Sequence, residues 1–189
     1  MNGVEDTKNL ENELIAKVET GIPDQQLDAM YFAKNAALHH KLSYGYCCDL
    51  AERIINRSQN FTPENWDSLA VAVKELDFKE QAAELVGGTI AANCTLRAFN
   101  HMLVWDMFKY KNLQKQIEER WCTEKNLIIM KSDPSYYGET AIRHVNDFLI
   151  REKMKDCELT GQQVEQSLTR AEIAYNRLHN HRPTFNPPT

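Results

Sequence analysis

The chain has 189 residues, of which 42% are hydrophobic and 26% charged, and its net charge at pH 7 is −5. A chain of this length buries a substantial core without disulfides or metal staples. The acidic balance argues against general affinity for a phosphate backbone, which needs clustered lysine and arginine, so nucleic-acid binding is not expected. Glycine and proline are few, at seven and six, and sparse helix breakers favour α-helices.

The number of cysteines and the first residues of the chain indicate where in the cell the protein is expected to be located. The five cysteines are an odd number, and the opening stretch MNGVEDTKNLENEL is acidic and polar, unlike a secretory signal. We therefore expect reduced thiols and a cytoplasmic location. The longest apolar runs are far too short to span a bilayer, so no membrane partner is expected.

The first half of the chain predicts successive helices. Gly21 is placed to end the first helix, and Pro23 fits the first position of the second. The second segment is predicted to run from Pro23 to about Arg57, with Gly45 marking a kink or a close crossing. Residues 29–38 are apolar on more than one face, which predicts a central position for this helix.

The next two segments have contrasting signals. Thr62 followed by Pro63 is typical of a helix start, with the threonine as N-cap. A strongly apolar segment is predicted to extend from residue 78 to about residue 122. Small residues around Gly87 and Gly88 predict a tight helix crossing there, and the glycine pair is equally compatible with a break between two helices.

The last third contains the one stretch predicted to be non-helical before the tail. Leu127–Met130 is a short apolar run without a partner strand, which favours an extended, buried connector. Gly138 is predicted to form a turn before another helix. Thr160, with a glutamine three residues later, forms a capping-box pattern that predicts the last helix.

These elements define an all-α fold class. We predict a single-domain helical bundle of about six or seven helices over residues 1–180. Residues 181–189 contain three prolines and are predicted to form an extended tail. The pattern has neither the βαβ alternation nor the hairpin signals of a sheet protein.

The stretch LHHKLSYGYCC raises the question of a metal site. On an unbroken helix, a spacing of seven separates His40 from Cys47 by about 10 Å, too far for both to bind one ion. Cys94 and His101 have the same spacing. These four residues remain candidates only if separate helices bring them together, and no cofactor is expected.

Motifs for catalysis are missing from the sequence. It has no Gly-x-Ser-x-Gly, no phosphate-binding glycine loop and no Glu-x-x-His of di-iron bundles. Some helical nucleases pair an arginine with a histidine a little further along, and Arg97 with His101 is the nearest match, with a shorter gap. A metal-dependent or nuclease-type enzyme is therefore kept as an alternative to a non-catalytic protein.

Two features favour binding to another protein. Trp121 lies in the polar stretch EERWCTEK, where a large ring has little local cover, and tryptophan is enriched at binding hot spots. The C-terminal segment has aromatic, apolar and basic residues that are poorly placed to bury themselves. The residues expected to contact a partner there are Tyr175, Leu178, His179, Arg182 and Phe185.

The sequence thus predicts a non-catalytic helical protein that works by binding another protein, as an inhibitor, adaptor or regulator, and that forms a homo-oligomer. The alternatives are a structural assembly subunit, such as a small virion or scaffold component, and the enzyme described above. On the first hypothesis, truncation after Arg182 or substitution of Trp121 by alanine weakens association without unfolding the monomer.

Overall fold

The computed structural model describes residues 3–74, 76–104 and 110–155, with residues 166, 169, 170 and 173 described singly. This part of the chain is all-helical, as predicted, and contains no β-strand. It has more helices than the six or seven expected, because several predicted segments are divided. Besides a short 3-10 helix, Leu96–Ala98, the α-helices are α1 Gly3–Glu19, α2 Pro23–Leu38, α3 Tyr44–Ile55, α4 Pro63–Val73, α5 Glu80–Asn93, α6 Phe99–Val104, α7 Lys111–Trp121, α8 Glu124–Ser132, α9 Pro134–Tyr137 and α10 Glu139–Lys155.

The α1–α2 junction follows the sequence signals. Gly21 has a φ of +67°, the left-handed conformation that glycine adopts most readily at the end of a helix. Pro23 occupies the first position of α2, where its missing N–H would have no helical partner. The predicted boundary is confirmed.

The predicted segment from Pro23 to Arg57 is divided into α2 and α3. The chain leaves the helix at the turn His39–Ser43, where His40 has a φ of +57°. Ser43 then caps α3, its hydroxyl oxygen accepting from the Tyr46 N–H at 3.0 Å. Gly45 lies inside the first turn of α3, so the predicted kink there is wrong and the break lies earlier.

The start of α4 has the cap that the sequence predicts. The Thr62 hydroxyl accepts from the Asn65 backbone N–H at 3.3 Å, while the Asn65 side chain accepts from the Thr62 N–H at 2.9 Å. Pro63 holds the first helical position. This reciprocal pair satisfies two backbone donors and fixes where α4 begins.

The glycine pair Gly87–Gly88 does not break a helix, since both residues lie within α5. The chain instead turns at Cys94 and Thr95, before the 3-10 helix. At Gly88 a methyl group would come within 3.0 Å of Oε1 of Gln116 on α7. Gly88 lies at the predicted crossing of α5 and α7, where its neighbour is the end of a side chain and not the backbone of α7.

The prediction of an extended connector at Leu127–Met130 is wrong, because these residues form the middle of α8. The Thr123 hydroxyl caps the helix by accepting from the Asn126 N–H at 3.2 Å. Met130 alone among the four is fully buried. Local capping by Thr123 outweighs the β-propensity of the apolar run.

Buried side chains form a continuous core from Leu14 on α1 to Val145 on α10. One buried polar residue, Gln26, joins two helix ends within it. Its side-chain amide donates to the Val18 carbonyl at 3.1 Å and the Arg57 carbonyl at 3.3 Å. Those bonds satisfy the donors of a side chain that has no exposed surface.

Candidate functional site

One face of α2 carries large apolar side chains that the other described elements leave partly exposed. The exposed fractions are 37% for Tyr31, 52% for Phe32 and 51% for Leu38. Asp28 and Asn35 are exposed beside them. At about 100° per residue, these five positions lie within an arc of about 120°; we call this surface the α2 face.

The packing on the opposite side of α2 explains why this apolar face remains exposed. That side is lined largely by small side chains, so α1, α3 and α4 pack closely against it. The predicted central position of residues 29–38 agrees with this packing against three helices, although one apolar face of α2 remains partly exposed. The small, fully buried residues of α2 are Ala29, Ala33, Ala36 and Ala37.

The α2 face is held in place by a contact to α4. The Tyr31 hydroxyl donates to the Ser68 carbonyl at 3.0 Å, and burial of the ring raises the pKa of Tyr31. The phenol thus donates at physiological pH, and its ring keeps one orientation. A fixed aromatic ring loses little conformational entropy on binding, which suits a binding surface.

A second exposed apolar patch lies on α8. Ile128 is 70% exposed and Ile129 is 36% exposed, on the side of the helix away from the buried Met130. Lys153 of α10 donates to Glu124 at 2.6 Å and lowers the pKa of that carboxyl. This patch holds only two adjacent side chains, so it offers a partner less apolar surface than the α2 face.

Trp121 does not form an exposed binding surface. Its side chain is only 6% exposed, with the Phe99 ring centroid 6.3 Å away and the Arg120 guanidinium carbon 4.7 Å above the ring. Its indole N–H is buried and has no hydrogen-bond partner among the described residues. The residues next to Trp121 do not predict this burial, because Phe99, which packs against the ring, lies 22 residues away along the chain.

A polar network fixes α7 against α10 near this tryptophan. His144 and Glu118 are 3.1 Å apart, from Nε2 to Oε1, and both are partly buried. Gln114 donates to the same Glu118 oxygen at 3.0 Å. The His144 ring also packs edge-on against Phe99 at 6.1 Å between centroids. The network positions helices, and both of its contacts to Glu118 are made to one carboxylate oxygen, Oε1.

Polar residues gather where α4 meets the 3-10 helix. Asp67 accepts from the Thr95 N–H at 2.8 Å and from the Thr95 hydroxyl at 2.6 Å, one bond to each carboxylate oxygen. The Arg97 guanidinium carbon lies 5.3 Å from the centroid of the Tyr136 ring. His101 follows one turn later. We call Asp67, Lys74, Arg97 and His101 the α4 corner.

The charged side chains of the α4 corner shift the pKa of His101 in opposite directions. Burial lowers the pKa of His101 below its ordinary value of 6.5, and the positive charges of Lys74 and Arg97 lower it further. Asp67 acts in the opposite direction. The imidazole is therefore neutral at pH 7, which leaves one nitrogen as a hydrogen-bond donor and the other as an acceptor.

The metal candidates are not brought together. His40 is exposed on the α2–α3 turn and Cys47 is buried on α3. Burial raises the pKa of the Cys47 thiol to about 11 and that of Cys94 to about 12, so both are protonated at neutral pH. Within the described ranges, no three histidine, cysteine or acidic residues form a metal-binding cluster.

The remaining predicted contact residues lie outside the described residues: Tyr175, Leu178, His179, Arg182 and Phe185. Sequence reasoning did not identify the α2 face as a binding surface, although Tyr31, Phe32 and Leu38 are large apolar residues that lie close together in the sequence. The available signal was the surplus of apolar residues on α2. That surplus predicts a central helix, and it does not show which apolar side chains remain exposed when alanines fill the other side.

Comparison with known proteins adds no relative. No model of a known family matches the chain, and neither a curated protein nor a solved structure is similar to it. In the described parts of the chain, no helix combines the length and apolar character needed to cross a bilayer.

Proposed function

We propose that this protein works by binding another protein through the α2 face, and that the bound protein is a second copy of itself. The observation that carries the proposal is the exposure of Phe32 and Leu38, each about half, on a helix whose other side is buried. Aromatic and apolar side chains that protrude from a well-packed helix are typical of binding hot spots.

The spacing along α2 suits a symmetric pair. Phe32 and Leu38 each lie three residues from Asn35, on opposite edges of the face. If two α2 helices pack antiparallel about a twofold axis beside Asn35, Phe32 of each copy lies level with Leu38 of the other. Such self-complementarity is what a twofold dimer interface requires.

The charges on the face support this register. Asn35, which would lie at the axis, is polar but uncharged, so two copies meet there without repulsion. Asp28, the acidic residue of the face, is seven positions away, or about 10 Å along the helix. Its negative charge therefore lies at the rim, where water screens it.

Sedimentation velocity over a range of concentrations tests the proposal. We expect wild type to form a dimer and Phe32→Glu to remain monomeric, because each interface would bury two unpaired carboxylates. Leu85→Glu is the matched control, since Leu85 is 43% exposed on α5, and it should dimerise normally. Ile128→Glu tests whether the exposed patch on α8 forms the dimer interface instead of the α2 face.

Each other outcome contradicts the proposal in a distinct way. A monomeric wild type removes self-association. Loss of the dimer in Ile128→Glu but not in Phe32→Glu moves the interface to α8. Rings or larger particles that grow with concentration favour the structural assembly subunit instead. Far-UV circular dichroism of every variant distinguishes a lost interface from a lost fold.

A further inference from the structure

The α4 corner shares no residue with the α2 face and has a surplus of positive charge in an acidic protein. With His101 neutral, Lys74 and Arg97 contribute two positive charges against the single negative charge of Asp67. Within the described residues, neither basic side chain forms an ion pair with a carboxylate. Their charges are available to a ligand.

The fold holds these groups on one edge. Asp67 ties α4 to the chain just before the 3-10 helix, through its two bonds to Thr95. Lys74 lies seven residues after Asp67, directly beyond the end of α4, and so on the same side of the helix. Arg97 and His101 follow Thr95, and both the 3-10 helix and α6 pack against α4.

Two further contacts set the direction of the arginine. Its guanidinium lies against the Tyr136 ring of α9, 5.3 Å from the centroid, which limits its rotamers while leaving its N–H groups free to donate. The end of α9 is fixed in turn at Gly138, where the Asn100 side chain comes within 3.0 Å of the position a Cβ would take.

The geometry points to a binding site for a phosphate group at the α4 corner, with Arg97 and Lys74 as its charged donors and His101 as a third polar contact. A guanidinium presents paired N–H donors that match two phosphate oxygens, and an ammonium adds a mobile positive charge. Asp67 keeps its negative charge when it accepts from Thr95 and therefore opposes the ligand, but the two basic side chains outnumber it.

The pKa of His101 is expected to change when a ligand binds at the α4 corner. The charged groups acting on its ring are Lys74, Arg97 and Asp67. A bound dianion offsets the first two and favours the protonated imidazole, so binding raises the pKa of His101. The proposal does not depend on self-association, because none of these residues belongs to the α2 face.

The test is a nuclear magnetic resonance titration of the His101 ring in the full chain, with inorganic phosphate as the first probe. We expect a saturable shift of the ring resonance. Removal of one charge-assisted contact by Lys74→Gln or Arg97→Gln should weaken binding about tenfold. Lys41→Gln, at an exposed lysine on the α2–α3 turn, is the matched control and should bind normally.

A second probe, a nucleoside monophosphate, distinguishes the sources of the phosphate. Tighter binding than inorganic phosphate identifies a nucleotide site, and equal binding identifies a site for the phosphate group alone. Arg97→Lys retains the charge but not the paired donors, and should bind more weakly than wild type. A linear shift that sodium chloride at equal ionic strength reproduces, or equal affinity in Lys41→Gln and Arg97→Gln, would overturn the site.

Discussion

Substitution of Trp121 by alanine tests the account of the α7 region. The indole is 6% exposed and packs between Phe99 and the Arg120 guanidinium. Removing a buried tryptophan side chain costs about 3–5 kcal/mol of unfolding free energy, including the cavity that remains. Loss of the cation–π contact to the exposed Arg120 side chain adds about 0.5 kcal/mol.

One contribution has the opposite sign. In the part of the chain that the structure describes, the buried Trp121 N–H has no partner, and removing an unsatisfied donor returns about 1–2 kcal/mol. The balance is a loss of about 3 kcal/mol for Trp121→Ala. Trp121→Phe removes the donor but keeps most of the packing, so we expect a loss of about 1 kcal/mol or less.

Urea unfolding followed by far-UV circular dichroism measures both variants under the same conditions. Their difference is informative because the two share the loss of the N–H and differ mainly in volume. A loss below about 1 kcal/mol for Trp121→Ala would refute the reasoning, since this is the size expected of a ring near the surface. It would restore Trp121 as a candidate contact residue.

Two further predictions concern pH and backbone conformation. Since the folded pKa of His101 is lowered from 6.5, its contribution to stability is lost as pH falls from about 6.5 towards the folded value. Urea unfolding should show this loss in wild type and not in His101→Gln; parallel pH profiles would contradict it. Gly138→Ala should cost about 1–2 kcal/mol, because Gly138 has a φ of +84° and lies against Asn100. Gly88→Ala should be neutral or stabilising by up to about 1 kcal/mol, because the exposed Gln116 side chain can move aside; equal losses in both glycine variants would contradict this contrast.

The sequence predicts helix boundaries well where a side chain forms the cap. Thr62 with Pro63, and Gly21 before Pro23, determine helix ends through local geometry that tertiary packing does not alter. The α2–α3 turn was not predictable in this way. It depends on His40 in a left-handed conformation, which no residue pattern requires.

Burial was harder to predict than helix formation. Met130 and Ile128 are both apolar residues of α8, but Met130 is buried and Ile128 is exposed. Which of the two faces the core is decided by where α10 packs. Trp121 was expected to be exposed because its sequence neighbours are polar. Its cover is supplied by Phe99, a contact between distant parts of the chain that composition and periodicity do not encode.

The central claim is that two copies meet through the α2 face, and an intermolecular nuclear Overhauser measurement tests it most directly. Chains carrying ¹³C-labelled leucine methyls are mixed with unlabelled chains, and signals between the two are selected. The account predicts cross-peaks between the Leu38 methyls of one copy and the Phe32 ring of the other. A dimer whose cross-peaks connect other residues, or a sample that stays monomeric at every concentration, would contradict it.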